Sequence, residues 1–126
     1  IDIVYAACSL QVILLEISRE KPMRMHQHTI SKPLSFSGVG LHTGADSLAR
    51  ILPAGPDTGI IFRRVDTGTE IPAAAEHVVE TAYATVLAAG EARVSTVEHF
   101  LAALYGMEID NAVVEVDGPE LPIWTI

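Results

Sequence analysis

Apolar and polar residues alternate along most of the chain after residue 30, in short segments separated by glycine and proline. A period of two residues predicts half-buried β-strands, and the turn residues between the segments mark their ends. On this pattern we predict strands at 30–37, 47–52, 59–66, 83–88, 92–94 and 109–116. The Ala89-Gly90-Glu91 sequence predicts a hairpin. Residues 72–80 fit neither period clearly.

One segment, 96–105, has helical periodicity instead. At about 100° per residue, its large apolar side chains fall on one broad face, which we expect to be buried. These residues are Val97, Phe100, Leu101, Leu104 and Tyr105. Gly106 follows as a stop signal. Many short strands with one strong helix predict an α+β fold, a two-layer sandwich with the helix packed on the sheet.

Glu98 and His99 lie side by side in the first turn of this helix. A metal-dependent hydrolase uses such a pair, the imidazole to hold a metal and the carboxylate to act on the bound water. The positive end of the helix dipole favours the negative charge of Glu98. His99 points away from the apolar face, beside Ala102 and Ala103, whose small side chains permit another structure to approach closely. These residue types are therefore compatible with a catalytic pair.

The same segment also has a structural interpretation. Ser95-Thr96-Val97-Glu98 has the S-x-x-E pattern of a capping box, in which Ser95 caps the helix and Glu98 reaches back to it. A single histidine at a helix start is also usually structural. On spacing alone the capping box is the favoured explanation.

Composition excludes several classes of protein. The chain has 126 residues, 49% of them apolar and 19% charged, which is typical of one globular domain. A net charge of −8 disfavours nucleic acid as a partner, because phosphate binding needs clustered Lys and Arg. Cys8 is the single cysteine, so no disulfide framework is expected and a reducing cytoplasm is the default.

The N-terminal segment differs from the rest. Residues 3–17 are mostly apolar, but they are too few and too often interrupted by polar residues for a membrane span. They also lack the basic start and cleavage site of a secretory signal. We expect translation to start at Met23 or Met25, residues 1–24 to be a non-native or poorly ordered extension, and no stable membrane insertion. The alternative is an amphipathic extension that packs on the domain or touches a membrane surface.

Five sequence blocks in a fixed order resemble one known family. They are Gly38–Gly44, Asp57–Arg64, Ser95–Leu101, Gly106–Ala112 and Glu115–Ile123. Together, over about residues 28–123, they resemble the zinc-dependent UDP-3-O-acyl-N-acetylglucosamine deacetylases of lipid A and lipopolysaccharide biosynthesis. The resemblance implies a protein of two similar α+β domains, with residues 25–126 as the first and a C-terminal domain missing from this sequence.

The resemblance also implies a reaction and its residues. The family hydrolyses the N-acetyl group of UDP-3-O-(3-hydroxyacyl)-N-acetylglucosamine, a nucleotide-sugar lipid, by attack of a zinc-bound water on the amide carbonyl. Glu98 matches the general base and His99 matches one zinc ligand. Positions near the substrate cleft are matched, with less specificity, by His42, Thr81, Ala82, Tyr83 and Ala84. A conformational role for the glycine-rich turn around His42, and a strand edge at 81–84, explain these residues equally well.

The remaining zinc ligands of the family, a His and an Asp in an H-x-x-x-D arrangement, are implied to lie in the missing domain. His42 and Asp46 have that spacing, but across a glycine-rich turn rather than on a helix face. Residues 124–126 depart from the family's usual Asp-Gly-Ser continuation, which predicts a frameshift, a truncation or an incomplete sequence. Because a catalytic zinc usually has three protein ligands, we expect this chain alone neither to retain zinc nor to deacetylate substrate.

Three hypotheses follow for the function of the chain. The first is half of the active site of a cytoplasmic deacetylase from a Gram-negative type of bacterium, active once joined to its second domain. The second is an inert remnant of the same domain, which shows no activity even when that domain is supplied. The third is an unrelated, non-catalytic α+β binding module.

Overall fold

The computed structural model describes residues 26–82 and 84–122. Within them the chain forms eight β-strands, one α-helix and a short 3-10 helix at Ala75–His77. The strands are β1 (Leu34–Val39), β2 (Asp46–Pro53), β3 (Ile60–Arg64), β4 (Thr69–Pro72), β5 (Val78–Glu80), β6 (Val86–Ala89), β7 (Ala92–Ser95) and β8 (Ala112–Val116). The helix, α1, is Glu98–Gly106. The α+β class predicted from the sequence is confirmed, and the two-layer arrangement stays a prediction.

The strands form two sheets. The first has five strands in the order β1-β2-β8-β3-β4, and the second has three in the order β5-β6-β7. All pairs are antiparallel except β3 with β8, which are parallel. Because parallel neighbours need a long crossover connection, the chain leaves β3, forms β4, the second sheet and α1, and then returns as β8. The helix start that carries Glu98 and His99 therefore lies within this crossover.

One hydrophobic core joins the helix to both sheets. Its buried members include Phe62 and Val114 from the first sheet, Leu87 and Val94 from the second, and Phe100, Leu101 and Leu104 from α1. The rings of Phe36 and Phe100 stack with their centroids 4.8 Å apart. Apolar burial of this kind contributes about 25 cal/mol per Å². The core thus fixes the helix, and with it the direction of the first turn.

The buried face of α1 was predicted correctly except at one position. Phe100, Leu101 and Leu104 are buried, whereas Tyr105 is 46% exposed. Tyr105 follows Leu104 by one residue, or about 100° around the helix, which takes it past the border of the buried face. Its assignment to the core was wrong.

Two strands begin later than the alternation of apolar and polar residues predicted, each for a local reason. β1 begins at Leu34, after Pro33, whose ring nitrogen has no hydrogen to donate to a neighbouring strand. β8 begins at Ala112 because the backbone N–H groups of Asp110 and Asn111 donate instead to the carbonyl of His28. The ambiguous stretch 72–80 contains the end of β4, the 3-10 helix and β5.

The predicted hairpin is confirmed. β6 pairs with β7 so that Ala89 lies opposite Ala92, and Gly90 between them has a φ of +61°. Glycine accepts that left-handed conformation without steric cost. The strand starts at Val86 rather than at Tyr83, and Tyr83 lies outside the described residues.

For the part of the chain that the structure describes, no helix is long and apolar enough to cross a membrane. The predicted extension at 1–24 lies outside that part.

Candidate active site at the start of the helix

The helix begins differently from the capping-box interpretation. α1 starts at Glu98 with Val97 as its N-cap, and no side chain caps the N-terminus. Ser95 is the last residue of β7, and its hydroxyl donates to the carbonyl of Pro119 at 3.1 Å. Thr96 separates strand from helix in a left-handed conformation, with a φ of +62°. The capping box is therefore wrong, because Ser95 belongs to the strand and Glu98 bonds elsewhere.

Glu98 is almost completely buried, with 2% of its surface exposed. Its Oε2 accepts a hydrogen bond from the backbone N–H of Thr85 at 3.2 Å. A buried carboxylate is stable only when hydrogen-bonded, and the first turn of a helix adds a favourable dipole. The carboxylate of Glu98 thus has one oxygen fixed by the backbone and is oriented within the protein.

Thr85 links the predicted cleft segment to this carboxylate. It is 1% exposed, and its carbonyl accepts a hydrogen bond from the N–H of Thr96 at 3.0 Å. Of the predicted cleft residues, Thr81 and Ala82 are exposed and Ala84 is buried, while Tyr83 is among the residues not described. Sequence reasoning missed Thr85. The available signal was its position directly after the matched segment at 81–84.

His99 is half-buried and follows Glu98 on the helix, with Ala102 and Ala103 exposed further along. Among residues 26–82 and 84–122, no group of three or more His, Cys, Asp or Glu side chains is placed to hold a metal ion. Since a catalytic zinc usually takes three protein ligands, the described residues do not by themselves fit a catalytic zinc. Among the described residues, His99 is the ligand that the resemblance predicts.

A second buried carboxylate is hydrogen-bonded to Thr96, two residues before Glu98. Glu120, 3% exposed, accepts hydrogen bonds from the N–H of Thr43 at 2.9 Å, the N–H of His42 at 3.0 Å and the hydroxyl of Thr96 at 2.8 Å. It thereby joins the glycine-rich turn between β1 and β2 to Thr96, two residues before the helix start. Sequence reasoning missed Glu120. The available signal was an acidic residue enclosed by Pro119 and Leu121 in a matched block.

The environment of Glu120 sets its charge. Burial alone raises the pKa of Glu120, but hydrogen bonds from the N–H groups of Thr43 and His42 and from the hydroxyls of Thr96 and Thr43 outweigh burial and lower it below its ordinary value. Hydrogen bonds donated to a carboxylate favour its ionised form. Glu120 is therefore an anion at neutral pH.

Two glycines of the turn serve different purposes. A side-chain carbon on Gly40 would overlap Oε1 of Glu120 and the hydroxyl oxygen of Thr43, so glycine is needed there for close approach. Gly44 has a φ of +67° and open space around it, so glycine is needed there for conformation. The turn is closed by a hydrogen bond from the N–H of Gly44 to the carbonyl of Gly40 at 3.0 Å. His42, at its tip, is exposed.

An oriented, buried carboxylate can act as a general base in hydrolysis, and a neighbouring histidine can bind a metal. The sequence matches the family described as LpxC: UDP-3-O-acyl N-acetylglycosamine deacetylase over residues 27–125. The chain belongs to this family of deacetylases, so the resemblance is confirmed and the unrelated binding module is wrong.

Curated relatives agree with the family match. A UDP-3-O-acyl-N-acetylglucosamine deacetylase from Anaeromyxobacter dehalogenans is 55% identical over 98 residues, which cover 78% of this chain and 32% of the relative. The protein of the same name from Myxococcus xanthus is 51% identical over 105 residues, 82% of this chain and 33% of the relative. That from Cellvibrio japonicus is 48% identical over 101 residues. The chain thus spans about a third of the length of these relatives.

Proposed function

We propose that the full-length protein hydrolyses the N-acetyl group of UDP-3-O-(3-hydroxyacyl)-N-acetylglucosamine in lipid A biosynthesis, and that this chain supplies half of the active site. Family membership and the names of the relatives support this reaction. One observation in this chain carries the proposal: Glu98 is buried at the helix start, is oriented by the N–H of Thr85 and is followed directly by His99.

In this proposal Glu98 is the general base. Hydrolysis adds water to the amide carbonyl, breaks the C–N bond and leaves acetate and a free amine, so a proton must leave the water as it attacks. The carboxylate of Glu98 accepts that proton, while the Thr85 N–H holds Oε2 and prevents the group from rotating away. General-base assistance is typically worth about 10²- to 10⁴-fold in rate.

We assign His99 as one zinc ligand and expect the other ligands in a second domain of the full-length protein. When bound, zinc would act as a Lewis acid that polarises the amide carbonyl and activates the water that attacks it. His42, Thr81, Ala82, Tyr83 and Ala84 are proposed to lie near the substrate. The bonds of Thr85 to Glu98 and to Thr96 support the placement of this last segment, because they attach its end to the helix start. A cytoplasmic location and a two-layer first domain complete the proposal.

The test is a complete enzyme built around this chain. Residues 27–125 replace the aligned third of the Anaeromyxobacter dehalogenans relative, and the chimera is assayed for release of acetate from the acylated nucleotide sugar. Variants of the full-length protein are made and measured in this chimera. Deacetylation that is lost on removing zinc and restored on adding it supports the proposal. A folded, inactive chimera contradicts it and favours the inert remnant.

The isolated chain gives the complementary measurement. With a single candidate ligand in His99, we expect the purified chain to hold no stoichiometric zinc after dialysis, measured by metal analysis. One tightly held zinc per isolated chain contradicts the division of the site between two domains.

A further inference from the structure

Three separate segments meet at the side chain of Glu120. The N–H groups of His42 and Thr43 come from the glycine-rich turn, and the hydroxyl comes from Thr96, directly after β7. Glu120 itself follows β8, and its own carbonyl accepts a hydrogen bond from the buried hydroxyl of Ser47 at 2.8 Å. A carboxylate with donors on both oxygens has few orientations available, so its position determines theirs.

The backbone around Glu120 extends the connection to Glu98. Ser95 and Glu120 form a parallel bridge, with the N–H of Leu121 donating to the carbonyl of Ser95 at 3.1 Å. The next residue, Thr96, donates its N–H to the carbonyl of Thr85, whose own N–H holds Glu98. Every step from Glu120 to Glu98 is thus a hydrogen bond between buried residues.

Gly40 shows that this arrangement is tight. A methyl group there would overlap both Oε1 and Cδ of Glu120, so the carboxylate packs directly on the backbone of the turn. Moving the carboxylate aside would break its bonds to His42, Thr43 and Thr96. The turn and the helix start therefore cannot shift independently while Glu120 is in place.

We propose that Glu120 is a positioning residue: its buried carboxylate fixes the glycine-rich turn, with His42 at its tip, relative to the helix start that presents Glu98 and His99. The inference rests on the proposed function for its catalytic meaning. Its structural content, the connection from Glu120 through Thr96 and Thr85 to Glu98, stands on the hydrogen bonds alone. Glu120 does not itself react in this scheme.

The experiment compares Glu120→Gln with Glu115→Gln in the full-length protein. The second is a matched control, since Glu115 lies on β8 and its side chain is 22% exposed beside Arg63. In Glu120→Gln, an NH₂ group replaces one carboxylate oxygen. This group donates hydrogen bonds instead of accepting them, although its neighbours in the turn and at Thr96 are also donors. Because a displacement of about 1 Å can cost on the order of 10²-fold, we expect kcat per folded enzyme to fall about 10- to 100-fold and KM to change less. Glu115→Gln should retain kcat within about twofold.

Variants of Thr96 provide a second measurement, because their effects on kcat would not follow this pattern if Glu120 only stabilised the fold. Thr96→Val removes the hydroxyl donor at nearly constant shape, and Thr96→Ser keeps it. If Glu120 acts through Thr96, then Thr96→Val lowers kcat, Thr96→Ser restores most of it, and combining Thr96→Val with Glu120→Gln adds little further loss. Fully additive losses in kcat contradict the inference.

Amide hydrogen exchange separates this inference from the proposed function. In Glu120→Gln, exchange should accelerate at His42 and Thr43 and also at Thr85, whose N–H bonds to Glu98, while strand β3 keeps its protection. An inactive parent enzyme would count against the proposed function only, and exchange then decides this inference. Unchanged exchange at Thr85 in folded Glu120→Gln overturns it.

Discussion

Glu98 and Glu120 are both buried glutamates, but the protein holds their carboxylates differently. Glu120 accepts bonds on both oxygens from two segments of the chain, and its pKa is lowered. Glu98 lies in the first turn of a helix, with its Oε2 held by the N–H of Thr85. A carboxylate with donors on both oxygens stabilises a framework, whereas a general base must keep a lone pair for the proton it accepts. Burial alone does not separate the two roles.

The largest effect should come from Glu98. Changing Glu98→Gln in the full-length protein keeps shape and removes the base, so kcat should fall by about 10²- to 10⁴-fold. The measurement is steady-state acetate release, with zinc content determined on the same sample. Glu91→Gln, in the exposed β6–β7 turn, is the control and should match the parent enzyme. Retention of kcat within about threefold in Glu98→Gln would falsify its assignment as the base.

A variant of Gly40 tests whether Glu120 packs tightly on the glycine-rich turn. Gly40→Ala places a methyl group against Glu120, and overpacking of this kind costs about 1–3 kcal/mol. The free energy of unfolding from urea titration of the full-length protein provides the value. Gly55→Ala is the matched control, because nothing lies within 4 Å of a side-chain carbon there. Equal destabilisation of the two variants would show that Glu120 does not pack tightly on the turn.

The lowered pKa of Glu120 predicts a pH dependence of stability. A carboxylate whose folded pKa lies below its ordinary value of 4.5 stabilises the fold above that pH, and the contribution is lost as pH falls through the folded value. We expect Glu120→Gln to be less stable than the parent by about 1–3 kcal/mol at pH 7, with the gap narrowing below pH 4.5. Thermal unfolding at several pH values measures it. A gap that stays constant down to pH 3 contradicts the ionised state of Glu120.

The smallest effect should come from Thr96. Thr96→Ser keeps the hydroxyl that donates to Glu120 and removes one methyl group, so the cost should be under about 1 kcal/mol. Thr96→Val leaves Glu120 without that donor and should cost about 1–3 kcal/mol. Urea unfolding of both variants in the full-length protein gives the difference. A larger cost for Ser than for Val would show that the methyl group, not the hydroxyl, matters at this position.

Local pattern predicted much of the fold. Alternation located strands that bury one face, as in β2, where Ser47, Ala49 and Ile51 are buried and Leu48 and Arg50 are exposed. The apolar face of α1 was found for the same reason. What pattern did not reveal was the parallel pairing of β3 with β8, because that register depends on contacts between residues far apart in sequence.

The residues of the candidate site were likewise only partly predictable from the sequence. The pairing of Glu98 with His99 was visible in sequence, but the S-x-x-E spacing favoured a cap that does not form. The left-handed conformation of Thr96 separates Ser95 from the helix, so the cap does not form. Nothing local in the sequence predicts that conformation for a β-branched residue. Thr85 and Glu120 were missed because their roles consist of hydrogen bonds to distant segments.

The position of β8 has a consequence for how the chain folds during synthesis. β8 lies between β2 and β3, so β1–β2 and β3–β4 remain separate hairpins until residue 116 has emerged. Closing the sheet then pairs strands that are far apart in sequence. This step is slow because ordering the intervening chain costs entropy before the new contacts form. A ribosome paused before Ala112 would hold a chain whose two hairpins expose the strand edges reserved for β8, and such edges are a known route to aggregation.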